Sequence, residues 1–73
     1  MGFETLVEEI RLRKNERRAL LRELESVSGR SMSQISNWLN GSGYMPDEAV
    51  EKIVEFLGGK IHKETPKIEW DRP

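Results

Sequence analysis

The chain has 73 residues, which allows one small domain and leaves no room for a deep catalytic cleft beside a core. It is 36% hydrophobic and 34% charged with a formal net charge of −1, a balance that suits a compact helical domain with a solvated surface. There is no cysteine, which excludes disulfides and thiolate metal sites.

Phe3, Leu6, Val7 and Ile10 recur at the spacing of an amphipathic helix, predicted over about residues 3–14. Glu4, Glu8 and Glu9 interrupt the apolar residues, so this stretch reads as neither a signal peptide nor a membrane span, and a cytoplasmic location is the expectation. Asn15 is placed to cap a second helix with Glu16 in its first turn, and Leu20, Leu21, Leu24 and Val27 form its buried face. One unbroken helix over 3–27 is the alternative. Gly29 stands where a left-handed residue ends a helix.

Ser31-Met32-Ser33-Gln34 fits a capping box, with Ser31 as N-cap and Gln34 reaching back to it. A short helix with Ile35, Trp38 and Leu39 as its apolar residues follows, stopped by Asn40-Gly41-Ser42-Gly43. Pro46, Asp47 and Glu48 open a fourth helix, whose apolar residues are Ala49, Val50, Ile53, Val54, Phe56 and Leu57. Beyond Gly58-Gly59, the segment 60–73 holds Ile61, Ile68 and Trp70 among polar residues and Pro66. It admits a short strand pair, an extended arm or disorder.

Charge is unevenly distributed. Residues 11–30 hold seven bases (Arg11, Arg13, Lys14, Arg17, Arg18, Arg22, Arg30) against three acids, and residues 31–43 hold no charge. Screening confines fields to about 8–10 Å, so a local basic segment can steer a phosphate backbone although the whole chain is near neutral. Two short helices joined at a glycine, the second opened by small polar residues, form the helix-turn-helix pattern. Ile35 and Trp38 would anchor the second helix while its opposite face, uncharged and easily desolvated, meets base edges.

The stretch Gly29-Arg30-Ser31-Met32-Ser33-Gln34-Ile35-Ser36-Asn37-Trp38-Leu39-Asn40-Gly41, with Met45-Pro46 after it, resembles the phage repressor/Cro family (lambda-repressor-like, XRE) over about residues 15–58. By that resemblance Met32, Ser33 and Asn37 face bases. Ser31, Asn40 and the backbone near Ser42 hold phosphates, joined by Arg17 at the start of the preceding helix. Ser36 completes the base-contact candidates, and Arg18, Arg30, Gln34 and Tyr44 complete the phosphate candidates; Met32 and Tyr44 have core packing as their alternative. The chain departs from the family at Glu25, where alanine is usual, at Ser28 and Arg30, where apolar residues flank the glycine, and in a preceding helix that reads as longer.

The expected architecture is an all-α, four- to five-helix lambda-repressor-like helix-turn-helix domain over 1–59, with a short extended tail or strands over 60–73. The expected function is sequence-specific binding of double-stranded DNA as a phage or bacterial transcriptional regulator, in the cytoplasm of a bacterial host. A homodimer on half-sites about one helical turn apart is expected, with helix four and Ile61, Ile68 and Trp70 as candidate partner surfaces. The alternatives are a protein-interaction module such as an antitoxin or antirepressor, and an architectural, excisionase-like DNA binder. His62 stands alone, and no phosphate loop or nucleophile–base set is present, so no enzyme, cofactor, metal, membrane or small-molecule substrate is expected.

Overall fold

The computed structural model describes residues 6–62, 64–65 and 67–71; Phe3, Glu4 and Pro66 lie outside them. Its elements are α1 (Val7–Glu16), α2 (Leu21–Ser28), α3 (Met32–Leu39), α4 (Asp47–Phe56), β1 (Gly59–His62) and β2 (Lys67–Trp70). The domain is therefore mostly helical with a small antiparallel sheet, rather than all-α.

Leu6, Ile10 and Arg13 form the buried row of α1. The helix runs through Asn15, so Asn15 does not cap the next one. Its end is a Schellman motif: Arg18 N–H donates to Asn15 O at 3.1 Å and Ala19 N–H to Lys14 O at 3.0 Å. Arg18, at φ 55°, takes the left-handed position that glycine usually fills. The described residues thus form two separate helices here rather than the one unbroken helix of the alternative, and α2 is a short element rather than a long one.

Leu20 is the N-cap of α2. Leucine has no side-chain acceptor, but its N–H donates to Glu23 Oε1 at 2.8 Å, which supplies half of a capping box. Leu24 is fully buried, while Leu21 and Val27 are half-buried and Leu20 is exposed, so the expected apolar face is narrower than four residues. Gly29 ends α2 at φ 75°, donating to Glu25 O at 2.9 Å, as its position in the sequence implies.

Ser31 caps α3 through its side chain, which accepts from Gln34 N at 3.1 Å. The end of α3 repeats the Schellman geometry with Gly41 at φ 90°: Gly41 N–H donates to Trp38 O at 3.0 Å and Ser42 N–H to Asn37 O at 2.9 Å. Pro46 is the N-cap of α4, and Asp47 and Glu48 lie in its first turn, near the positive end of the helix dipole. Ala49, Val50, Ile53, Val54 and Leu57 are buried there, but Phe56 points outward.

Of the three forms open to residues 60–73, the strand pair is the one found. Gly59 pairs with Trp70, Lys60 with Glu69, Ile61 with Ile68 and His62 with Lys67. Ile68 joins the core made by Leu6, Ile10, Leu24, Ile35, Trp38, Leu39 and the α4 residues, and Ile61 and Trp70 pack against it. The hairpin thus shares the core of the helices. No helix among the described residues is long and apolar enough to cross a membrane.

Candidate functional site

The candidate face belongs to α3. Ile35, Trp38 and Leu39 turn inward, at 0%, 6% and 6% exposure. A 100° step per residue then sends Ser33 and Asn37 to the opposite side, with Ser36 and Asn40 along one border and Gln34 along the other. Ser33, Asn37 and Asn40 are exposed, and Ser36 and Gln34 are half-buried. Met32, in the first turn, is 43% exposed and so is not a lid on the core. The structure brings Met32, Ser33, Ser36 and Asn37 together on one short helix with no charge in it.

The neighbouring loop supports this face. Gln34 does not reach back to Ser31; its Nε2 donates to Tyr44 O at 2.9 Å and ties the loop after α3 to the helix. A capping box would need the Gln34 side-chain oxygen to accept from Ser31 N–H, and the side chain instead turns toward the loop carbonyl. Tyr44 itself is 72% exposed, which rules out core packing for its ring. The Ser42 hydroxyl donates to Asn37 O at 3.2 Å, and its N–H goes to the same carbonyl. Ser31, the N-cap, and Arg30 stand exposed in the turn before α3, with Arg30 N–H donating to Ser28 Oγ at 3.2 Å.

Arg17 and Arg18 sit elsewhere than expected. Both follow the last turn of α1 rather than opening α2. Arg17 Nη2 meets Asp71 Oδ1 at 2.9 Å, so the end of the hairpin competes with any other ligand for its guanidinium. Arg18 is exposed.

Sequence reasoning missed the clamp between α1 and the hairpin. Buried Arg13 donates through Nη2 to Asp71 Oδ1 at 2.9 Å and to Asp71 O at 3.0 Å, with its guanidinium carbon 5.1 Å from the centroid of the Trp70 ring. Trp70 Nε1 donates to Glu9 Oε1 at 2.7 Å. No local pattern could announce partners that far apart in the chain. His62 Nε2 lies 2.9 Å from Glu69 Oε1 across the strands, and that contact holds the Glu69 carboxyl below its ordinary value of 4.5. No group of three or more His, Cys, Asp or Glu side chains among the described residues could hold a metal ion. No family model matches the chain, and comparison with curated proteins and with solved structures gave no match.

Proposed function

We propose that the chain binds double-stranded DNA sequence-specifically, laying α3 in the major groove as a phage repressor/Cro-like helix-turn-helix domain, and acts as a phage or bacterial transcriptional regulator. One observation carries this reading: an uncharged helix, opened by small polar residues and fixed from behind by Ile35, Trp38 and Leu39, in a chain that is 34% charged. A face that carries no ion costs little to desolvate, and rigid backing keeps its side chains aimed. In this reading Met32, Ser33, Ser36 and Asn37 meet base edges. Ser31, Gln34, Asn40, Ser42 and Tyr44, with Arg17, Arg18 and Arg30, meet the backbone.

A single small domain contacts few bases, so the reading includes a homodimer on two half-sites. Ile61, Ile68 and Trp70 pack within their own chain, which favours α4, with exposed Phe56, as the partner surface.

The test is a titration of the full chain against duplexes enriched by selection and against random duplex, between about 50 and 200 mM salt. Binding that weakens with salt and prefers the selected duplex by roughly 10³-fold or more supports the reading. Absence of duplex binding at the lowest salt refutes it.

A further inference from the structure

A shallow groove of about 190 Å³ runs along the Ser36–Asn40 border of α3, lined by Arg11, Lys14, Asn15, Leu21, Ser36, Leu39 and Asn40. Arg11, Lys14 and Asn15 share one edge of α1 at i, i+3 and i+4 spacing, and Ser36 and Asn40 share one edge of α3 at i, i+4. The groove therefore has two cations, three polar side chains that can hydrogen-bond, and no acid in its lining.

Neither cation meets a carboxylate among the described residues. Arg11 Nη1 donates to Leu39 O at 3.3 Å, which uses one of the five guanidinium N–H groups and holds the others in place. The Lys14 ammonium makes no hydrogen bond or ion pair among the described residues. The carbonyl end of α3 closes the groove and carries partial negative charge, so an anion settles there only because these two cations outweigh it.

We infer that this groove seats a phosphodiester of the DNA backbone, with Arg11 and Lys14 as its principal ligands and Asn15, Ser36 and Asn40 as neutral ones. The inference rests on the DNA-binding reading, extends it to Arg11, Lys14 and Asn15, keeps Asn40 on the backbone and moves Ser36 there from the base edges. A helix with its side chains is about 10–12 Å across and the major groove about 12 Å wide, so the borders of an inserted helix face the two phosphate ridges. The Ser33–Asn37 face points at the bases in this geometry. The Ser36–Asn40 border, with the cationic groove beside it, then faces one of the ridges.

The experiment compares the full chain with the Arg11→Gln/Lys14→Gln double variant and with Lys60→Gln/Lys67→Gln, which removes the same charge from exposed sites on β1 and β2. The first variant is expected to bind selected and random duplex more weakly by a similar factor, on the order of tenfold. Its log–log salt slope should be shallower by about one to two units than that of the control. Because Arg11 also holds Leu39 O, two further variants guard against misfolding. Lys14→Gln alone should lower the slope by about one unit at unchanged thermal midpoint, and Arg11→Lys should keep the parent slope. A double variant, or Lys14→Gln, that binds no more weakly than the control overturns the assignment while the parent still binds DNA. A parent chain that binds no duplex overturns the DNA reading, and the phosphate seat falls with it.

Discussion

The ring of Trp70 lies against Gly59 on the neighbouring strand, so close that a Cβ at Gly59 would stand 2.5 Å from Cε3 and 2.6 Å from Cζ3. The two residues are direct cross-strand partners. The ring covers the strand where glycine leaves it bare, and the same ring takes Arg13 at its face and Glu9 at its nitrogen. Gly59→Ala must move the ring or the strand, and Ile68 Cγ2 at 2.9 Å blocks a small adjustment. The expected loss is about 1–3 kcal/mol of stability, read by denaturant unfolding, with a changed Trp70 environment. An unchanged midpoint would show that the ring is not seated there.

Removing residues 60–73 should abolish cooperative unfolding. Ile68 is 8% exposed and belongs to the core, and removing the hairpin also strips Arg13 of Asp71 and the Trp70 ring. Without Asp71 the Arg13 guanidinium keeps only the exposed Glu16 at 3.6 Å, and this loss adds to that of the core in a domain with little stability to spare. A shortened chain that keeps a sharp thermal transition would make the hairpin an appendage.

Trp38→Ala should cost about 3–5 kcal/mol, because the indole is 6% exposed beneath α3. Thermal unfolding followed by circular dichroism reads the loss. Retained stability with lost DNA binding would instead put Trp38 on the contact surface.

Asn37→Ala tests the reading helix itself. Its side chain is exposed, while its carbonyl, which holds Ser42, is retained in alanine. Stability should therefore stay within about 0.5 kcal/mol. Binding to a selected duplex should fall by about 1–3 kcal/mol and binding to random duplex should hardly change. Equal losses on both would reassign Asn37 to the phosphates.

The His62–Glu69 pair sets a small acid limb. The hydrogen bond and charge of His62 lower the Glu69 pKa in the folded chain, so the folded state binds this proton less readily than the unfolded one. The contribution to stability is present above the ordinary value of 4.5 and is lost as pH falls through the lower folded value. His62→Gln should flatten this part of the midpoint-against-pH curve below about pH 5, measured against the parent chain. An identical acid limb in both proteins would remove the pair from the account.

What could be read from the sequence was local. Ser31, Gly29 and the Asn40–Gly43 stop act on backbone groups within a few residues, and Ile35 and Trp38 follow from helical spacing, so α3 was legible nearly to its ends. The α1–α2 junction was not, because Arg18 stands in a left-handed position without being glycine and Leu20 caps without a side-chain acceptor. The Gln34 side chain could accept from Ser31 N–H or donate to a loop carbonyl, and only the path of the loop decides for Tyr44 O. The two faces of α1 were equally hidden. Glu9, Arg13 and Arg17 serve the hairpin and Arg11 and Lys14 border α3, a division that seven bases spread over residues 11–30 do not display.

The clamp of α1 on β2 joins residues 58 and 61 positions apart, Arg13 to Asp71 and Glu9 to Trp70. During synthesis Arg13 has the Glu16 carboxylate of its own helix, 3.6 Å away in the folded chain, but it meets Asp71 only after nearly the whole domain has emerged. Closing so long a loop costs entropy that local helix formation does not repay, so docking of the hairpin should come late in folding. Until then Arg13 has neither Asp71 nor the face of Trp70, and partly made chains would expose an apolar core edge to chaperones and proteases.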